Sequence, residues 1–100
     1  MIIFYVPCKD KTEAKKIAIA LLKKKLVVCA NIVPSQTIYA WEGKIVEEKE
    51  EILIVKTINR QEEATEKEIK KLHSYEIPAI IKMTAKVNEE YLEWAESVIE

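Results

Sequence analysis

The pattern of apolar residues along these 100 residues predicts an α+β domain, an antiparallel sheet with helices packed on one face. Three observations carry that expectation. Stretches with β-type patterning (2–6, 26–58 and 77–87) alternate with stretches whose apolar residues recur at helical spacing. The only glycine, Gly43, stands between two long β-favouring arms. The length, finally, supplies enough mass for one core and no more, so residues 1–100 form a single domain.

Ile2 to Val6 is continuously apolar and reads as a central strand buried on both faces, ended by Pro7 to Lys9. Asp10 with Glu13 makes a capping box for a helix that buries Ala14, Ile17, Ala18, Leu21 and Leu22. Lys23, Lys24 and Lys25 close it, where cations suit the negative end of the helix dipole. A second strand begins at Leu26 to Ala30, and Pro34 within its pattern argues for an edge strand, a bulge or a break.

Asn31 to Ile58 reads as a hairpin turning at Glu42-Gly43, glycine being the residue that reaches positive φ without steric cost. Its returning arm from Lys44 to Ile58 spans about 50 Å at roughly 3.3 Å per residue. A compact domain of this size is only about 30–35 Å across. The arm therefore overshoots its own body and exposes Tyr39, Trp41 and Ile45 unless another copy covers them. Self-association is the first structural expectation.

Asn59 offers an N-cap, with Glu62 behind it, for a helix to about Leu72 whose thin apolar stripe is Ala64, Ile69 and Leu72. Ile77 to Val87 alternates as a strand with one wetter side. Asn88 caps a last helix that buries Tyr91, Leu92, Ala95, Val98 and Ile99. The order β-α-β-β-α-β plus a terminal helix is the ferredoxin-like pattern, with strand order 4-1-3-2. It places Cys8, the hairpin and His73 to Glu76 at one edge, and Cys29 at the opposite one, so a disulfide between the cysteines is not expected.

Net charge is −1, which gives no overall field toward nucleic acid or an acidic membrane. The charges are mostly Lys and Glu, with one Arg, one Asp, three Asn and two Gln, a bias that resembles proteins adapted to high temperature. No secretory leader or long apolar run is present, and two cysteines without such a leader read as free thiols in a cytoplasm.

Several stretches are similar to one family. Cys29-Ala30-Asn31-Ile32, Tyr39-Ala40-Trp41-Glu42-Gly43-Lys44, Lys56-Thr57, His73-Ser74-Tyr75-Glu76-Ile77-Pro78 and Tyr91-Leu92-Glu93-Trp94 resemble, in order and spacing, the CutA family of divalent-cation tolerance proteins. The resemblance covers essentially the whole chain. It implies a cytoplasmic homotrimer of ferredoxin-like subunits, joined through their hairpins and linked to tolerance of copper and other divalent metals, with no obligatory cofactor.

His73 is the only histidine. With Cys8 and Glu76 it offers nitrogen, sulfur and oxygen donors of the kind copper favours; a structural role is the alternative. Tyr39, Trp41, Tyr75 and Trp94 are expected at the trimer interface, where aromatic side chains are the usual anchors. Cys29 is expected to be buried, and Cys8, in a loop, to be reachable. Glu47 to Glu51 reads as a solvated face, because alternate residues of a strand point opposite ways. No nucleophile, base and acid stand together, and one glycine cannot make a phosphate loop, so an enzyme is not expected. The rival reading is a trimeric regulator that binds a nucleotide or anion near Lys56 and Lys82.

Overall fold

The computed structural model describes residues 1–99. Its elements are β1 (Ile2–Cys8), α1 (Lys11–Lys23), β2 (Cys29–Trp41), β3 (Lys44–Thr57), a 3-10 turn (Asn59–Gln61), α2 (Glu62–Leu72), β4 (Ile81–Thr84) and α3 (Glu89–Val98). The four strands make one antiparallel sheet in the order β2-β3-β1-β4, which is the expected topology.

Phe4, Val6, Leu53 and Val55 meet Ala14, Ile17, Leu21 and Ile69 in the main core, between the sheet and helices α1 and α2. β1 is not buried on both faces, as its continuous apolar run suggested. Ile2, Phe4, Val6 and Cys8 are buried, while Ile3, Tyr5 and Pro7 between them are half-exposed. Only one side of the sheet is covered by α1 and α2. Cross-strand partners share a face, so Ile3 and Tyr5 lie with Ile54, Ile81 and Met83 on the other side. That side is largely apolar in a single chain.

The first helix starts as expected. Asp10 accepts the Glu13 amide at 2.8 Å, and the Glu13 carboxylate reaches back to the Lys9 amide at 3.0 Å. Leu22, assigned to the buried stripe, is exposed instead. The helix ends with the Leu26 amide donating to the Leu21 carbonyl and the Lys25 amide to the Leu22 carbonyl. Lys25 takes the left-handed conformation that glycine usually fills in this cap. The chain is therefore still turning at Leu26, and β2 begins only at Cys29.

Asn59 does not cap α2. It opens the 3-10 turn, and Gln61 precedes the helix without a side-chain cap bond. The buried positions of α2 are Thr65 and Ile69, while Ala64 faces solvent. Asn88 precedes α3 but does not cap it: its side-chain amide donates to the Glu90 carboxylate, and its oxygen accepts no backbone amide of the helix. Ala95 and Ile99 pack with Ile58 in a second, smaller core that leaves Val98 exposed. The last strand is only Ile81–Thr84, shorter than the alternating run, because the chain around Pro78 stays outside the ladder.

The hairpin is long and regular. Pairing runs without a break from Cys29↔Lys56 to Trp41↔Lys44, and passes through Pro34↔Glu51. β2 is an edge strand, which explains how it tolerates a residue with no amide proton. Glu42 and Gly43 both have positive φ (48° and 77°), as a two-residue turn of the I′ type requires. β1 accompanies β3 only as far as Cys8↔Glu51. Beyond it, Ser35–Trp41 and Lys44–Glu50 continue as a bare two-stranded ribbon for about 20 Å. The molecule measures 47 × 24 × 21 Å as a result.

Candidate functional site

β1, α1 and the segment after α2 meet at one end of the sheet. There Cys8, Glu13 and His73 bring their donor atoms within 4.8 Å of one another. Each is placed by a local rule. Cys8 ends β1 on the core-facing side, Glu13 sits in the first turn of α1, and His73 follows the last turn of α2.

The group is closed by hydrogen bonds. The His73 side chain has 0% exposure. Its Nδ1 accepts the Tyr75 amide at 3.0 Å, which leaves the proton on Nε2 to be donated to the Pro7 carbonyl at 2.8 Å. Glu13 accepts the Lys9 amide on one oxygen and the Ser74 amide, at 2.8 Å, on the other. Burial works against the Glu13 carboxylate, but the bonds from Ser74 and Lys9 outweigh it and hold the group below its ordinary value. Burial pushes the Cys8 thiol up to about 12, and Glu13, Glu50 and Asp10 push it the same way.

Cys8 is therefore the reverse of the reachable thiol expected from a loop position. It ends a strand, is fully buried and stays protonated. Cys29, expected inside, is half-exposed on the edge strand. The two stand five positions apart along β3, opposite Glu51 and Lys56, and neither forms a disulfide. We expect iodoacetamide at pH 8 to leave Cys8 unmodified in the native protein and to alkylate it once guanidinium has unfolded the chain. Mass mapping reads the outcome; native labelling at Cys8 would refute the burial.

Of the three residues expected to bind a metal, the fold unites Cys8 and His73. Glu76 is exposed and stands outside the group, where Glu13 takes the third place. Glu13 was legible only as a helix cap. Its second oxygen serves Ser74, a contact across 61 positions that no local pattern reports.

Beside this group lies an open cleft of about 470 Å³ that Tyr39, Trp41 and Tyr75 line together with Glu48 and Glu50. Glu48 and Glu50 share that side of β3 because they are two residues apart, and Glu50 is buried. The solvated reading of 47–51 thus fails at Glu50. Tyr75 donates its hydroxyl proton to Glu50 at 2.7 Å, and Tyr39 donates to Glu48 at 2.9 Å. Burial and the Glu50 carboxylate both push the Tyr75 hydroxyl above its ordinary value. Trp94 lies elsewhere, exposed on α3 and tilted against Tyr91 at 5.6 Å. Lys82, a proposed anion ligand, is held by Glu62 and Glu66 of α2 at 3.2 and 2.7 Å.

No helix is long and apolar enough to cross a membrane among the described residues. The sequence matches the family described as CutA1 divalent ion tolerance protein over residues 2–98. A protein named divalent-cation tolerance protein CutA from Pyrococcus horikoshii is 44% identical over 95 residues, which are 94% of this chain and 93% of that one. The crystal structure of CutA1 from Pyrococcus horikoshii superposes with a TM-score of 0.94 at 40% identity, covering 100% of this chain and 99% of the other. A structure described as the periplasmic divalent cation tolerance protein CutA from Archaeoglobus fulgidus gives 0.93 at 35% identity, over 100% of both chains. Residues, topology and relatives agree: the chain belongs to the CutA1 family of divalent ion tolerance proteins.

Proposed function

We propose that this protein acts as a cytoplasmic homotrimer in tolerance of divalent metal ions, and that copper is the cation best suited to it. The observation that carries the metal reading is the convergence of one sulfur, one nitrogen and one carboxylate within 4.8 Å. That donor set suits a borderline-to-soft cation, and copper stands highest in the affinity order for such sites. The fit requires movement. Bonds of about 2.0–2.3 Å need donors about 3.5 Å apart, so the group must contract by roughly 1 Å. The thiol must also lose its proton, and His73 must release Tyr75 or Pro7. Movement of the segment from Ser74 to Ile77, exposed at Ser74, Glu76 and Ile77, would free His73 and let Glu76 approach as a fourth ligand.

The trimer reading rests on the bare ribbon, on the apolar outer side of the sheet, and on the single cleft that gathers Tyr39, Trp41 and Tyr75. Free cysteines support a reducing compartment. Cys8, the thiol of this group, is held protonated by burial and by the carboxylates around it.

The metal assignment is tested by titrating Cu(II) at pH 7 into the native protein and into His73→Gln, which keeps the volume and one donor. The variant should bind at least about tenfold more weakly, as loss of a ligand or its support does. Equal affinity in the two removes His73 from the site.

A further inference from the structure

The segment between α2 and β4 joins the Cys8 group to the foot of the ribbon. It is hinged on His73, whose amide donates to the Ile69 carbonyl at 3.0 Å, and it regains regular structure only at Ile81. Its residues are tied on opposite sides of the sheet. On the helix side the Ser74 amide donates to Glu13 Oε2 at 2.8 Å, and the Tyr75 amide to His73 Nδ1 at 3.0 Å. On the outer side the Tyr75 hydroxyl donates to Glu50 Oε2 at 2.7 Å. Glu76 and Ile77, which follow, are exposed.

Two hydrogen bonds hold the His73 ring, and they are not equivalent. Nε2 donates to the Pro7 carbonyl, and Pro7 is fixed in β1 opposite Ile52 of β3. Nδ1 accepts from Tyr75, which belongs to no strand or helix. Nδ1 also lies 4.0 Å from the Glu13 carboxylate, on the side where the donors converge. A cation therefore reaches the ring by displacing the Tyr75 amide, while the bond to Pro7 stays. The same movement lifts the Ser74 amide off Glu13, so one opening frees a nitrogen and a carboxylate oxygen together. Glu50 resists that opening. It is buried, and it stands one residue beyond the end of the β1 pairing, opposite Ser35 in the ribbon. The Tyr75 ring lies 4.6 Å from the His73 ring, so the side chain that carries the pin also covers the histidine.

We propose, on the metal reading given above, that residues 74–77 form a strap over the Cys8–Glu13–His73 group. The Tyr75–Glu50 hydrogen bond keeps the strap shut and so sets how tightly a cation is held. Tyr75 is a positioning residue, since it acts through His73. Apparent affinity scales with the fraction of molecules in the open form. One hydrogen bond to a charged acceptor shifts that fraction about tenfold. Tyr75 also lines the cleft with Tyr39 and Trp41, where a second copy would lie against the strap, so opening is a motion within the assembly.

The test compares the native protein with Tyr75→Phe and Glu50→Gln, each in its assembled form. Tyr75→Phe keeps the ring and the backbone amide and removes only the pin. In metal-free buffer its Ser74 and Tyr75 amides should exchange with deuterium about tenfold faster, while Leu53 and Val55 in the sheet keep their rates. Cu(II) affinity should rise by the same factor. Glu50→Gln, which still accepts a hydrogen bond but carries no charge, should fall between the two proteins in both measurements. Unchanged exchange at Ser74 and Tyr75 overturns the proposal, and so does an equal rise at Leu53 and Val55. Faster exchange with the same copper affinity overturns the strap's control of His73. Faster exchange at the two amides with no copper binding in any of the proteins supports the pin and overturns the metal reading instead.

Discussion

Trp41→Ala is expected to weaken self-association more than any other single change in the hairpin. Trp41 is the last residue of β2, paired with Lys44 across the turn, and is 62% exposed in the isolated chain. Ile45, its neighbour on the opposite face of the ribbon, is 76% exposed. A two-stranded ribbon with apolar side chains on both faces is marginal in water by itself. Burial of the indole in a second copy removes that liability, and tryptophan at the centre of such a contact typically carries about 2–4 kcal/mol. The expected result is a dissociation constant raised about thirtyfold or more, read as a falling mass by light scattering on dilution. The monomer's own core is remote from Trp41, so circular dichroism at high concentration should not change. A mass that stays constant through the dilution series contradicts the contact.

The second large effect is on stability. Glu13→Ala should cost about 2–4 kcal/mol, because it strands the Lys9 and Ser74 amides and removes two hydrogen bonds to a charged acceptor. The guanidinium midpoint measures it. Glu13→Gln is milder, since an amide oxygen can still accept one of the two bonds. The same carboxylate gives a pH dependence. Its value in the fold lies below the ordinary 4.5, so the native state binds its proton less readily than the unfolded chain. Its contribution is therefore complete above about 4.5 and is lost as the pH falls further, through the folded value. In metal-free buffer, the loss of stability below pH 4.5 should be shallower in Glu13→Gln than in the native protein. Parallel curves would contradict the linkage.

The topology was legible because each element announces itself locally. Ala14, Ile17, Ala18 and Leu21 repeat at helical spacing, and Gly43 marks the only place where the hairpin can reverse. What escaped was decided by long-range contacts. Asn59 has the chemistry of a cap, yet the chain leaves β3 through a 3-10 turn and starts α2 two residues later. The run from Ile77 alternates like a strand, but only Ile81–Thr84 finds a partner in β1, and Ile77 is left 89% exposed. The site divides the same way. Cys8 and His73 were singled out by residue type, whereas Glu13 and Glu50 acquire their roles from Ser74 and Tyr75, both supplied by one distant segment. Alternation hid Glu50 among four other charges; its burial depends on Tyr75 folding over the sheet.

All of this hangs on a ribbon that its own domain cannot support. Sedimentation equilibrium of the purified chain at micromolar concentration addresses that point without any variant. The account predicts a single species of about three times the 11.6 kDa chain mass. A stable particle of 11.6 kDa, with the ribbon intact, would contradict it.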